Sequence, residues 1–324
     1  MKLMKCLLAG AALALAGPAI AAGESCDRQC LIKLSDDYVA ALVKHDPKAV
    51  PLANDIVTVE NLKRIKPGEG LWGSLTGGTT DFVIHVPDPV SQQVGILAVA
   101  KGKDGFDFIG VRLKFAGGKI VEAEHLVSPK LGEVSLRNLQ APRAPLLAEV
   151  PYEYADSRGR LIWLGKSYYD ALDDSNSQKS SFADDCERHE NGFQTARNPM
   201  VRTTPGGNGQ TDAAFSYLGG LGCAAQMDTN MWEYIDTIAN RRVEIADPVT
   251  GLVWGMSHFH HDMKEDRYRL LGVPGTEYRT IRASTGAGFD MPAIHIYKVW
   301  GGKIHEIEAL GIVMPYQSPT GWEE

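Results

Sequence analysis

The chain has 324 residues, 44% of them hydrophobic, with five cysteines and a formal net charge of −7 at neutral pH. That length supplies about two domains' worth of core. The mild acidity comes without any basic cluster, which excludes nucleic acid as a partner, and no apolar run reaches the roughly 20 residues of a membrane span.

At the N-terminus Lys2 and Lys5 precede an apolar run over residues 6–20, followed by Ala19-Ile20-Ala21. This is the pattern of a secretory signal with a small-residue cleavage site, so residues 1–22 are expected to be removed and the mature protein to be secreted or periplasmic. Cys6 lies inside this segment and lacks the lipoprotein-type context. Cys26, Cys30, Cys186 and Cys223 remain, and an even number in an exported chain favours disulfides. No Cys-x-x-Cys pair supports zinc. Three pairings are open, of which Cys26–Cys30 with Cys186–Cys223 keeps each bridge within one half of the chain.

The halves are diverged copies. Leu31, Leu34, Tyr38 and Leu42 fall on one face of a helix and return 130 residues on as Leu161, Leu164, Tyr168 and Leu172. Asp55, Glu60 and Asn61 return at the same offset as Asp185, Glu190 and Asn191. Asp88-Pro89-Val90 matches Asp247-Pro248-Val249 at an offset of 159, and Gly117-Gly118-Lys119-Ile120 matches Gly301-Gly302-Lys303-Ile304 at 184. The second copy therefore carries insertions of 29 and 25 residues. In copy one, residues 80–86, 94–101, 106–115 and 119–127 read as strands, the last two joined by Gly-Gly hairpin chemistry. A helix followed by a meander of antiparallel strands is an α+β unit, and a curved sheet wrapped on a helix leaves an open mouth for a ligand. The chain divides into a first unit at 23–127, a proline-bearing linker at 128–160 and a second unit at 161–324, together an intramolecular pseudo-dimer.

Candidate chemistry lies where the copies differ. Gly95, Leu97, Val99 and Lys101 on one strand face become Trp254, Met256, His258 and His260, while Val111, Leu113 and Phe115 become His295, Tyr297 and Val299. If both faces are concave, His258, His260, His295 and Tyr297 line one pocket suited to proton transfer near neutral pH. Glu190 is a candidate base, although Glu60 holds the same slot and a carboxylate kept in both copies is more readily a fold feature. Arg188, whose counterpart is Thr58, lies two residues before Glu190 and is a candidate oxyanion stabiliser. Tyr168, Arg241, Trp254 and His261 are candidate substrate-binding residues at the wall and rim, with an ion pair to Glu190 or Asp185 the alternative role for Arg241. The run from His258 to Asp262 invites a metal, but it has no third spaced ligand, so neither metal nor cofactor is assigned.

Cys26-Asp27-Arg28-Gln29-Cys30-Leu31, residues 38–51, Asp185-Cys186-Glu187-Arg188-His189-Glu190-Asn191-Gly192, Arg241-Arg242, Pro315-Tyr316 and Gly321-Trp322 resemble a family of secreted bacterial and fungal proteins of unassigned function. That family is similar in turn to the nuclear transport factor 2-like, or SnoaL-like, superfamily. The resemblance implies two tandem cone-shaped SnoaL-like, cystatin-like units, each a helix-led segment packed on a curved antiparallel sheet. The superfamily includes ketosteroid isomerases, dehydratases, aldol-type cyclases, lyases and plain binding modules, so it implies no single reaction. The expectation is a secreted lyase or isomerase using acid–base chemistry on a small organic or glycosidic substrate in the second unit. The alternatives are a non-catalytic small-molecule binding protein and, third, a metal-dependent enzyme using the histidine run. The expected partner is a small molecule, with no nucleic acid and no membrane after signal cleavage, and further oligomerisation is open.

Overall fold

The computed structural model describes residues 25–199, 213–275, 277–281 and 287–323, so the expected signal at 1–22 lies outside the described residues. The apolar spacing of the first unit produces α1 (Arg28–Lys44), which buries Leu31, Leu34, Tyr38 and Leu42 and is capped by the Asp27 side chain accepting from Cys30 N. Then come β1 (Leu52–Glu60), β2 (Lys63–Ile65), the short helix α2 (Leu71–Ser74), β3 (Leu75–Asp88), β4 (Gln93–Gly102), β5 (Gly105–Ala116) and β6 (Lys119–Ser128). The strands form one sheet in the order β2-β1-β6-β5-β4-β3, with β1 parallel to β6 and the other neighbours antiparallel.

The linker holds α3 (Glu133–Asn138) and α4 (Ala144–Leu147). It is clamped to the second unit by Arg143, which reaches Glu187, Glu306 and Glu308 at 2.7–3.0 Å. The second unit opens with α5 (Arg158–Asp173), three residues before the boundary expected from sequence, because Ser157 accepts from Arg160 N as its N-cap. It continues as β7 (Phe182–Glu190), β8 (Phe193–Ala196), α6 (Ala213–Gly220), α7 (Cys223–Met227), β9 (Thr237–Asp247) and β10 (Leu252–His261). After these come β11 (Arg267–Arg269), β12 (Tyr278–Thr280), β13 (Phe289–Trp300), β14 (Lys303–Gly311) and β15 (Met314–Pro315). The second sheet repeats the first in the order β8-β7-β14-β13-β10-β9, again with one parallel pair, β7 with β14. Both Gly-Gly hairpins adopt the doubly left-handed turn, with φ of 57° and 77° at Gly117 and Gly118 and 58° and 73° at Gly301 and Gly302. The first insertion is α6 and α7, tied to β7 by the Cys186–Cys223 disulfide, and the second contains the β11–β12 pair. Cys26–Cys30 closes the other bridge, so each disulfide stays within one unit. No described helix is long and apolar enough to cross a membrane.

The architecture is α+β, layered helix, sheet, sheet, helix. Each sheet packs one face on its own helix, and the opposite faces share a core in which Phe82, Leu97 and Phe108 meet Trp254, Ile294 and Leu310. Repeat-equivalent residues meet each other at this junction. A Cβ on Gly95 would run into the indole of its counterpart Trp254, and one on Gly110 into Ile294, its own counterpart. Arg28 binds Asp247 at 2.8 Å while Arg158, its equivalent, binds Asp88 at 2.8 Å, an exchange of the same pair across an approximate two-fold axis. Arg112 and Arg242 converge on Glu124 across the same junction. Burial alone would raise the Glu124 pKa, but the two guanidiniums outweigh it and hold the carboxyl below its ordinary range. After β15 the C-terminal tail crosses back to the first unit, laying Trp322 against Arg112 and Arg242.

Candidate functional site

A cavity of about 380 Å³ opens on the α5 side of the second sheet. Its polar wall is Tyr168 from α5, Glu190 and Asn191 at the end of β7, Thr195, Tyr234, His261 and His295. Leu172, Phe193, Trp232, Ile235, Phe259 and Met291 supply apolar surface. Trp232, Tyr234 and Ile235 belong to the first insertion, so the disulfide that anchors α7 also steadies this wall.

The first unit shows what the cavity replaces. There the Tyr38 hydroxyl bonds His125 Nε2 at 3.0 Å, and His125 Nδ1 bonds Glu60 Oε2 at 3.0 Å. Glu60 also accepts from Leu71 N at 2.8 Å, and Trp72 packs edge-on against Tyr38 with centroids 5.3 Å apart. Phenol, imidazole, carboxylate and indole therefore fill the space. In the second unit Ile109, His125 and Val127 have become Ala293, Ala309 and Gly311, which share the same cross-strand register and line the cavity floor. Removing the bridging imidazole frees both ends of the chain of hydrogen bonds. Glu60 has a side chain 17% exposed, whereas Glu190 is 43% exposed at the cavity. Asn191, by contrast, is a fold feature, because its side chain bonds Gly311 N and O as Asn61 bonds Val127 N and O.

Arg188 takes over as partner of Glu190, with Nε 2.9 Å from Oε1. It is buried, lies 4.6 Å over the Trp232 ring, and donates to Thr195 Oγ1 at 3.0 Å and to Gln226 Oε1 at 2.8 Å. The Tyr168 hydroxyl stands next to this guanidinium without closing a well-aligned hydrogen bond, and burial pushes its pKa up. His261 is stacked on Phe289 and Tyr234 at 4.1 and 5.3 Å, and its Nδ1 has no hydrogen-bond partner. Burial lowers the His261 pKa to about 4. Burial, reinforced by the Arg188 charge, lowers that of His295 to about 3, and Tyr169 contacts its Nδ1 at 3.3 Å. Both imidazoles are thus neutral near pH 7. Glu190, Tyr168 and two neutral imidazoles thus line one largely apolar chamber, with the Arg188 guanidinium buried behind Glu190, groups of the kind used in proton transfer and oxyanion stabilisation.

Several expected site residues lie elsewhere. His258 and His260 do not share a face with His295 and Tyr297, because β10 and β13 pair Gly255 with His295 and the two sets point to opposite sides of the sheet. Trp254 is on that opposite face, in the core between the sheets. Tyr297 is fully buried behind the cavity, packed on Tyr168 and Tyr169 at 5.1 and 6.3 Å. Arg241 points outward and pairs with Asp170 and Asp173 at 2.8 and 2.5 Å, not with Glu190 or Asp185. Within the histidine run, His261 faces away from His258 and His260, and Asp262 pairs with Lys264. Sequence reasoning missed Thr195, Trp232 and Tyr234, and it missed the three small residues of the floor. The signal for the floor lay in large residues turned small, Ile109, His125 and Val127 against Ala293, Ala309 and Gly311, and not in apolar residues turned polar.

A family described as a domain of unknown function (DUF8021) matches residues 154–311, which span the second unit from just before α5 to the end of β14. No curated protein matches the chain. The cavity and the insertion that walls it thus fall within the stretch similar to that domain.

Proposed function

We propose that the second unit is a cofactor-independent lyase or isomerase of the SnoaL-like kind, acting on a small carbonyl-bearing organic or glycosidic substrate. The chain would be a secreted tandem of two such cones fused as a pseudo-dimer. One helix packed on each mostly antiparallel sheet, two sheets back to back and a disulfide in each unit support that reading. The observation that carries the chemistry is the release of Glu190. Its counterpart Glu60 is spent on His125 and Leu71 N, whereas Glu190 faces an open cavity beside a buried arginine. Glu190 would take the proton from the carbon next to the carbonyl, leaving the electron pair as an enolate whose oxygen the Tyr168 hydroxyl would meet, with the buried Arg188 guanidinium behind Glu190 supplying positive charge. Return of the proton to another carbon is isomerisation, and expulsion of a β-substituent is elimination. His261 and His295 would donate or accept hydrogen bonds without competing for the proton. A volume of about 380 Å³ suits a small molecule.

The test is a thermal-shift screen of hydroxy-ketones, phenolic dimers and uronic sugars, followed by turnover assays on every hit. Glu190→Gln should abolish turnover and leave binding within about tenfold. A ligand bound in this cavity by the wild type without turnover would establish a binding module instead.

A further inference from the structure

On the face of the second sheet away from the cavity, His258 and His260 stand two residues apart on β10, and Asp290 lies opposite His260 on β13. We propose that these three residues form a binding site for a divalent first-row transition ion of the zinc class. One ligand atom from each lies within 4.8 Å of the others. His258 is 2% exposed, its Nδ1 has no hydrogen-bond partner, and its Nε2 meets only Asp290 Oδ2, at 3.2 Å without hydrogen-bond alignment. Buried imidazoles are ordinarily hydrogen-bonded, and an ion supplies the partner that the protein does not. Asp290 is wholly buried and His260 half-buried, so the ion would enter past His260.

The donor set selects the metal. Two imidazoles and one carboxylate suit zinc or ferrous iron, whereas calcium and magnesium prefer oxygen throughout. Asp290 Oδ1 contacts His260 Nδ1 at 2.6 Å, and Oδ2 lies 3.2 Å from His258 Nε2. A small outward shift of the rings admits an ion at ordinary metal–ligand distances of about 2.0–2.2 Å. Ser318 N donates to Asp290 Oδ2 at 2.7 Å, the kind of outer contact that fixes a ligating carboxylate. The first unit has no such set, since Val99 and Lys101 stand where the histidines do. The ion would sit where the second sheet meets the returning C-terminal tail, coupling metal content to docking of that tail on the first unit. The site is separate from the cavity and stands whether or not the cavity is catalytic.

The full chain, stripped with chelator, should bind one equivalent of Co²⁺ with the visible absorption of a tetrahedral or five-coordinate site, displaced by Zn²⁺. His258→Ala and the near-isosteric Asp290→Asn should each weaken binding by more than the roughly 10–100-fold that outer-shell changes cost. Near-UV dichroism reports whether the variants remain folded. Absence of the Co²⁺ band in folded wild type overturns the site, whatever the variants do. So does equal affinity in wild type and folded variants, which would assign the metal to other surface histidines.

Discussion

Refilling the cavity with the side chains of the first unit should stabilise the protein and silence it. The double variant Ala293→Ile, Gly311→Val restores the Ile109 and Val127 pair at equivalent cross-strand positions. About six added carbons at roughly 0.8 kcal/mol per buried CH₂ set a ceiling near 5 kcal/mol. The gain is smaller in practice. A Cβ at position 311 meets Met291 Sδ at 3.2 Å and Cγ at 3.3 Å, so a flexible side chain must give way. Ordering the new side chains costs about 0.5–1 kcal/mol each. A net gain of about 1–3 kcal/mol follows, or a few degrees in Tm for a chain of this size. Urea unfolding under oxidising conditions measures it, and the ligand found by screening reports the cavity. Loss of more than about 1 kcal/mol, or undiminished ligand binding, would refute the view that these small residues exist to hold the cavity open.

The Glu190–Arg188 pair should be asymmetric in stability, because Arg188 is 1% exposed and Glu190 43%. Glu190→Ala leaves a buried guanidinium without a counter-charge and should cost about 2–4 kcal/mol, most of it recovered by adding Arg188→Met; equal unfolding midpoints for the single and double variants would contradict this. Replacing both cysteines of Cys186–Cys223 by serine opens a loop of 37 residues and should cost about 4 kcal/mol, against about 2 for the four-residue Cys26–Cys30 loop. Reversal of that order in denaturant titrations would rule out the loop-entropy account. Burial lowers the His261 pKa from 6.5 to about 4, so the folded chain binds that proton less tightly than the unfolded one. Stability is then intact above pH 6.5 and falls as pH drops toward 4, by on the order of 3 kcal/mol for this group. His261→Gln should flatten the profile, and identical midpoints for wild type at about pH 7 and about pH 5 would disprove the burial argument.

The helices, hairpins and duplication are legible in the sequence because each rests on local spacing. Leu31, Leu34, Tyr38 and Leu42 declare a buried face without knowledge of what covers it, and Gly117-Gly118 declares a turn. The phase between strands is harder, because it is set by pairing. Counting outward from the tight Gly102–Gly105 hairpin puts Arg112, not Val111, opposite Gly95, and the second unit keeps that phase as Trp254 opposite Ile296. His258 and His295 are therefore on opposite faces, a conclusion within reach of the hairpin but not of alternation along single strands. Asp290 was invisible for the same reason, since 30 residues of sequence separate it from His260 while one register position joins them in space. The cavity depends on what is missing, and only the tertiary frame shows that Ala309 removes an imidazole to which Tyr38 and Glu60 bond in the other half.

The collision point of Gly95 and Trp254 bears on how such a chain could have arisen and why it stays fused. Two copies of the second unit brought together about the same axis would place two indoles on one spot, while two copies of the first would face each other across an indole-sized void. With tryptophan in one copy and glycine in the other, the two surfaces fit each other and neither fits itself. Covalent fusion then holds the two unlike halves at one to one, and the half with the filled interior survives as the shape against which the hollow one is built.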